Sequence, residues 1–341
     1  MTSQGAPTQF WRNKRVAVTG AAGFIGSHVV DELLRLGAKP IAIVRDRSRA
    51  VHLSHLSGDA SEVDPAAARH AVIVREADMQ DYDQTIRAIA DAEIVINCAA
   101  RVGGIEYNIK HPGTIFRENM QSFLNVMEAS RRIGVERVVV VSSACVYPRF
   151  CTIPTPEEEG MRDRPEPTNE GYGWAKRMEE FVAQSYAKEF GMRIAIARPY
   201  NAYGPRDNFD PQSSHVIPAL IRRVMQGEDP LVVWGSGNQS RAFLFATDFA
   251  RGILEVGEKY AVADPVNVGT DREVTIRELV AIICSAAKKT PRILFDTTQP
   301  EGQPRRNCDT TKMRQVIGWE PRVDLEEGIA KTVEWYARQR S

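Results

Sequence analysis

From residue 15 onward the chain alternates short aliphatic, β-branched runs with longer stretches whose apolar positions recur every three or four residues. The runs RVAVTG, PIAIV, AVIV, EIVIN, RVVVVSS and RIAIARP predict six buried strands. Apolar residues this continuous fit parallel strands covered on both faces. Between them, residues 24–36, 82–90, 112–133 and 171–190 carry helical periodicity. Such alternation implies an α/β fold, a doubly wound parallel sheet with right-handed crossovers, whose ligand lies at the carboxyl ends of the strands.

After ARPYNAYGP the rhythm breaks. Helices are expected at about 214–226, 247–258, 275–288 and 324–339, with a short strand LVVW and a glycine-rich turn GSGN. The expected division is a dinucleotide-binding lobe of residues 1–199, rejoined at about 241–262 by RAFLFATDFARGI, and a smaller α/β C-terminal substrate lobe of residues 200–240 and 263–341. Residues 46–70, rich in Ser, Arg and Ala, form a long connection to which the sequence assigns no role.

Composition narrows the functional classes. Lys plus Arg equals Asp plus Glu at 44 each, so no net field favours nucleic acid or a membrane surface, and an anionic ligand must be held by local groups. No apolar run approaches the ~20 residues that span a bilayer, and the opening MTSQGAPTQFWRNKR has no signal-peptide core, so a cytoplasmic protein is expected. Five cysteines without CxxC pairing read as free thiols, and no metal site is expected.

Chemistry enters with VAVTGAAGFIG, which sets Gly20, Gly23 and Gly26 between the first strand and the first helix. In that place the backbone N–H groups and the helix N-terminus can bind a pyrophosphate, as in a Rossmann fold. At the end of strand two an acidic residue would accept from a ribose 2′-hydroxyl, whereas arginine accommodates a 2′-phosphate. The sequence reads IAIVRDRSR, so Arg45 tilts the cofactor towards NADP while Asp46 keeps NAD open. Arg47 is as consistent with a solvated loop charge. Asp78, after strand three, is placed to accept from an adenine amino group or to be a plain turn residue.

The stretch YGWAK puts Tyr172 and Lys176 at i and i+4, one face of a helix, downstream of Ser143 at the end of strand five. An ammonium beside the phenol is expected to lower its pKa from about 10, so that the tyrosine exchanges a proton with a sugar hydroxyl or carbonyl while Ser143 bonds the same oxygen. Hydride then passes between that carbon and the nicotinamide.

With GxxGxxG, SSACVYP, YGWAK and RPYNAYGP together, the chain resembles the extended short-chain dehydrogenase/reductases, in particular the NAD(P)-dependent nucleotide-sugar epimerase/dehydratase family, from about residue 15 to 340. Within it the chain is similar to GDP-L-fucose synthases and GDP-mannose 3,5-epimerases through AARVGGI, EPTNEGYGWAK, YGPRDNFDPQSSHVIPALIRR, VVWGSG, NVGTDREVTIREL and GWEP. The resemblance implies an NAD(P)-dependent enzyme that inverts C3 and/or C5 of a GDP-hexose, with or without reduction at C4. Ala144 and Cys145 replace the acidic pair expected of a 4,6-dehydratase. A 4-epimerase or 4-reductase needs only Ser143, Tyr172 and Lys176 and remains open, as does a non-catalytic NAD(P)- or nucleotide-binding protein on the same fold.

Cys145 and His215 match the family's second acid/base pair, and a thiol of pKa about 8.5 and an imidazole of about 6.5 suit that work. The plain alternatives are a small buried residue for Cys145 and a helix N-terminal neighbour for His215. The resemblance also implies cofactor contacts at Phe24, Ile25, Met79 and Ala99. It implies substrate contacts at Gly103, Gly104, Ser143, Asn201, Arg223, Trp234, Arg241 and Arg305 or Arg306, and a homodimer through helices 112–133 and 171–190. Three positions depart from the fucose-synthase pattern. Ala22 stands where a basic residue is found in the glycine turn, and Ala242 and Phe245 replace an acid and a histidine in RAFLF.

Overall fold

The computed structural model describes residues 9–53, 72–299 and 303–339. Most of the 46–70 connection lies outside the described residues. The first half comprises β1 (Arg15–Thr19), α1 (Phe24–Arg35), β2 (Lys39–Val44), β3 (Ile73–Glu76), α2 (Tyr82–Ile89), β4 (Ile94–Asn97), α3 (Ile105–Lys110), α4 (Pro112–Ile133), β5 (Arg137–Val141), α5 (Glu170–Phe190) and β6 (Ile194–Pro199). There follow β7 (Ala202–Tyr203), α6 (Val216–Met225), β8 (Leu231–Trp234), β9 (Ser240–Ala242), β10 (Leu244–Phe245), α7 (Ala246–Lys259), β11 (Pro265–Val268), β12 (Glu273–Thr275), α8 (Ile276–Ala286), β13 (Ile293–Asp296), β14 (Arg305–Arg306) and α9 (Leu325–Arg338).

Seven strands form one parallel sheet in the order β11-β6-β5-β4-β1-β2-β3. The chain winds outward from β1 through β2 and β3, then restarts at β4 on the other side. The crevice between the carboxyl ends of β1 and β4 is therefore the switch point where doubly wound sheets bind ligands. Continuous apolar strands are buried as expected, with Val16, Ala17 and Val18 and Ile94, Val95 and Ile96 all fully inaccessible. Helices cover both faces.

The six expected strands are present, and a seventh joins them. β11 falls in the stretch expected for the second lobe, yet it pairs with β6 at the sheet edge. Its core is interrupted by Asn267, which is why PVNV does not read as a buried strand. That asparagine is fully buried and satisfied, accepting from Tyr147 at 2.6 Å and donating to the carbonyls of Thr155 and Asp309. The short helix α3 also lacks a sequence signal, having two glycines before it and a proline behind it.

α7 packs against α1 and β6. The remaining segments build a second core from Leu220 and Ile221 on α6, Leu279 and Ile283 on α8, and Ile329 and Val333 on α9. Small strand pairs and a three-stranded sheet, β12-β9-β14, frame it.

Behind the carboxyl end of β5 lies a buried charged group. Arg198 on β6 forks onto Glu180 of α5 at 2.7 and 2.6 Å, and Ser142 donates to the same carboxylate. Arg198 also donates to the Tyr147 hydroxyl at 3.1 Å and to the Glu157 carbonyl at 2.6 Å. Glu180 and Arg198 are 0% and 3% exposed, so each depends on the other for charge compensation. Arg198→Met is expected to lower unfolding free energy by about 3–5 kcal/mol in urea titrations, because it strands a buried carboxylate. Adding Glu180→Leu is expected to recover part of that loss.

Candidate active site

At the switch point β1 runs into Gly20, whose φ of 65° is left-handed. A Cβ there would sit 2.8 Å from the Ala99 Cα, and one on Gly26 would sit 2.2 Å from the Gly20 carbonyl oxygen. Both glycines are required by close approach, and Gly20 by its backbone conformation as well. Thr19 locks the two strand ends together, donating to Asn97 Oδ1 at 2.7 Å and accepting from the Ala99 N–H at 3.1 Å. α1 begins at Phe24 and Ile25 with Gly23 as its N-cap and no side-chain cap, so its first-turn N–H groups are available to an anion.

Gly20, Gly23, Arg45, Asp78, Met79 and Ala99 line one cavity of about 860 Å³, which extends to Gly103 and Gly104. These six of the residues expected to hold a dinucleotide are thus brought together in a space large enough for one, whereas Phe24, Ile25, Gly26, Tyr172 and Lys176 are not part of its lining. Arg45 is exposed at the rim and makes no hydrogen bond or ion pair among the described residues. Asp46 is occupied differently, its carboxylate capping the following turn by accepting from the Ser48 N–H at 2.9 Å and hydroxyl at 2.6 Å. Arg47 turns away to the Val74 carbonyl. Asp78 accepts from the Gln80 N–H at 3.0 Å, and the Met79 carbonyl accepts from Asn125 at 2.9 Å, which fixes the cavity wall.

α5 presents Tyr172 and Lys176 to the end of β5. Its close seating needs Gly173, where a Cβ would lie 2.5 Å from the Cys145 carbonyl oxygen. Lys176 is 1% exposed and donates to the Val141 carbonyl at 3.0 Å and to Glu179 at 2.8 Å. Burial opposes its charge, but Glu179 and Tyr172 raise its pKa above the usual lysine value. Tyr172 differs from expectation. Burial pushes its phenol up to about 12, outweighing the downward pull of Lys176 and of a hydrogen bond with Ser143, and Cys145 and Glu179 add to the rise. At neutral pH it is a phenol, equipped to give a proton.

Cys145 sits in a single 3-10 turn, Ala144–Val146, anchored by its N–H donating to Ser143 Oγ at 3.1 Å. Its sulfur receives Asn169 Nδ2 at 3.2 Å and faces Arg306 at 3.9 Å. Asn108 donates to Asn169 and accepts from the Gly103 N–H at 3.1 Å, tying the thiol to the glycine segment. His215 caps α6 with its side chain 66% accessible, and its Nδ1 lies 3.7 Å from the buried Asp207. The Asp207 carboxylate, at ion-pair range, raises the imidazole pKa despite desolvation. Among the described residues Cys145 and His215 do not hydrogen-bond each other. Gly104 approaches His215's own loop, where a Cβ would meet the Gln212 carbonyl oxygen at 3.2 Å.

The expected substrate residues divide. Arg241 and Arg306 are register partners in the β9–β14 pair, two guanidinium groups side by side. Burial and the neighbouring Arg306 bring Arg241 down to about 10. Arg305 points away and forks onto Glu273 at 3.0 and 2.9 Å, so of the two arginines it is Arg306 that faces the thiol. Asn201, at φ 22°, donates to the Ala242 carbonyl at 2.8 Å. Arg223 is already engaged by Glu228 and by the Val232 carbonyl. Trp234 is 61% exposed at the end of β8. Ala242 and Phe245 are buried, and no group of three or more metal-ligating side chains occurs among the described residues. Sequence reasoning missed Glu179, Asn169, Asn108 and the Thr19–Asn97 lock. Only the acidic pair directly after YGWAKRM carried a readable signal.

A family model described as the NAD dependent epimerase/dehydratase family matches residues 16–269. GDP-L-fucose synthase 1 of Arabidopsis thaliana is 32% identical over 331 residues, 96% of this chain and 94% of that protein. A dTDP-4-dehydro-6-deoxy-D-allose reductase of Streptomyces is 31% identical over 329 residues, 96% of this chain and 97% of that protein. The solved structure of UDP-glucose 4-epimerase from Thermotoga maritima with UDP-glucose superposes with a TM-score of 0.80 at 28% identity, covering 96% of this chain and all of that one.

The Asp207 contact has a testable sign. A raised imidazole pKa means that the stabilisation it lends is complete below the unfolded value and is lost as pH rises through the folded one. Asp207→Asn is expected to move the His215 titration, followed by NMR, down towards about 6.5.

Proposed function

Because the chain belongs to the NAD dependent epimerase/dehydratase family, we propose that it acts on a GDP-linked 4-keto-6-deoxyhexose, epimerising C3 and C5 and reducing C4 with NADPH. The observation that carries this reading is Cys145, which sits two residues from Ser143 with its sulfur met by Asn169 and Arg306. A simple 4-epimerase or 4-reductase gives that thiol nothing to do.

NADPH, when bound, supplies the hydride. Gly20, Gly23 and the first turn of α1 would hold its pyrophosphate, and the exposed Arg45 its 2′-phosphate, since Asp46 is spent on its own turn. The C4 ketone acidifies the protons on C3 and C5, so one group must take each proton and another must return it to the opposite ring face. Cys145 and His215 stand on different elements, as two-sided proton transfer requires. Neutral Tyr172 then gives its proton to the C4 oxygen while Ser143 orients it. Arg241 and Arg306 would receive the diphosphate through charge-assisted hydrogen bonds. Arg223 would reach it only by leaving Glu228.

A second reading, 4-reduction alone on a dTDP-sugar, draws support from the 31% identity to a dTDP-4-dehydro-6-deoxy-D-allose reductase. The division into a dinucleotide lobe and a nucleotide-sugar lobe is part of the proposal. So is a cytoplasmic homodimer joined through α4 and α5, whose exposed Phe116, Leu124 and Phe181 would be covered in it. Among the described residues no helix is long and apolar enough to cross a membrane.

Incubation in D2O with GDP-4-keto-6-deoxymannose and NADPH is expected to place deuterium at C3 and C5 and to consume NADPH. Consumption without exchange would replace this reading with 4-reduction alone. Cys145→Ser is expected to keep NADPH affinity and lose about 10²–10⁴-fold in exchange rate, the usual contribution of a positioned acid or base.

A further inference from the structure

The loop between β7 and α6 sets two titratable side chains, Asp207 and His215, against each other. Asp207 is 7% exposed. Its Oδ1 accepts from the Asn208 N–H at 2.7 Å and lies 3.7 Å from His215 Nδ1, while Oδ2 is buried with no hydrogen-bond partner among the described residues. A buried carboxylate oxygen without a donor is costly, and the imidazole is the proton-bearing group within reach. Asp207 is also the charged group that acts on this ring. The loop's other acid, Asp210, is spent on its own turn, accepting from the Gln212 N–H at 2.9 Å and the Ser213 hydroxyl at 3.1 Å.

Asp207 is held from outside the loop. The two residues before it are tied to α1, the helix that opens the dinucleotide cradle. Burial brings the His28 pKa down to about 4, so this histidine is neutral and donates its Nε2–H to the Pro205 carbonyl at 2.9 Å. Arg206 donates to Asp31 at 2.7 Å and keeps a left-handed φ of 69°, which a residue other than glycine holds only where its surroundings enforce it. Across the loop, Asn208 donates to the Ser213 hydroxyl at 2.8 Å. The carboxylate is thus fixed and the imidazole, 66% accessible, is the partner that turns to meet it. Acid/base contacts in a ligand-free site are commonly longer than in the reacting complex.

We infer that Asp207 is a positioning residue for His215: it accepts from Nδ1–H, fixes that tautomer, and leaves Nε2 as the nitrogen that carries protons. In a neutral imidazole one nitrogen donates and the other accepts, and the bond made by the first decides the state of the second. When Nε2 takes a proton from the sugar carbon, the imidazolium keeps its Nδ1–H on Asp207, and release of the proton from Nε2 restores the neutral ring. No rotation is needed between the two states, as in other acid/base groups oriented by a third residue. Without the carboxylate the proton can settle on Nε2, where it blocks acceptance. His215's part in the reaction rests on the proposed function, whereas its tautomer is a property of the ligand-free chain.

The test is nitrogen-15 NMR of the histidine rings in the ligand-free full chain, at a pH above the His215 midpoint. The chain has six histidines, so the His215 signals are identified by their loss in His215→Gln. In the native protein the Nδ1–H form is expected to exceed the Nε2–H form about tenfold or more, the effect of one pK unit of differential interaction, and in Asp207→Ala that ratio is expected to fall about tenfold. In the D2O incubation, Asp207→Ala is expected to lower the exchange rate at saturating substrate about tenfold with little change in KM. A native ring protonated mainly on Nε2, a ratio unchanged in Asp207→Ala, or exchange at the native rate in that variant overturns the inference. Should Asp207→Ala fail to fold, the native spectrum decides alone. Absence of exchange in the native protein would defeat the functional reading while leaving the tautomer result intact, so the two can fail separately.

Discussion

The geometry of this active site hangs on the buried pairing of Glu180 with Arg198. It joins α5 to β6 and, through Ser142 and Tyr147, grips both ends of the segment that carries Ser143 and Cys145. A buried ion pair of this kind returns little net stability, because desolvation offsets attraction. What it provides is a single arrangement. Two-point contact between a planar guanidinium and a carboxylate tolerates little rotation, so α5 cannot slide along the sheet without breaking it. Tyr172 and Lys176 inherit that precision from about two turns and one turn away on the same helix.

The consecutive acids Glu179 and Glu180 divide their work by facing different cations. Glu180 meets Arg198, a structural partner, and Glu179 meets Lys176, a chemical one. Adjacent helix positions point about a quarter-turn apart, so one helix can address the sheet behind and the site in front. Gly171 and Gly173 let this occur at short range, since a Cβ on either would collide with Pro112 or Cys145 backbone.

Much of this was legible in the sequence because the signals were local. Continuous aliphatic runs marked six strands, and glycine spacing at the first turn marked the cradle. The misses arose where tertiary partners overrule local chemistry. PVNV hides an edge strand because its asparagine is satisfied by three distant groups. Glu179 reads as an ordinary polar helix position until burial is known. Arg305 and Arg306 cannot be separated by composition, but strand alternation sends one to Glu273 and the other to Cys145. Arg223 had the right type and neighbourhood, yet it closes a local fork with Glu228. Lys176 lowers the Tyr172 pKa as expected, but in the ligand-free chain burial, with Cys145 and Glu179, outweighs it, and burial is what the sequence does not display.

Cys145 belongs to the loop after β5 in the main sheet, whereas Arg306, which faces its sulfur, belongs to β14 in the three-stranded sheet built by later segments. Arg241 stands beside Arg306 in the same small sheet, and burial together with their mutual repulsion lowers the readiness of Arg241 to hold its proton. Under the proposed function, an anionic diphosphate would relieve that repulsion and bring its sugar to the thiol that Arg306 faces. Binding energy at a non-reacting part of the substrate would thereby be coupled to placement of the reacting ring, the condition under which distant contacts contribute to rate and not only to affinity. In a chain with no net charge, this local pair concentrates positive charge beside Cys145, as the proposed function requires.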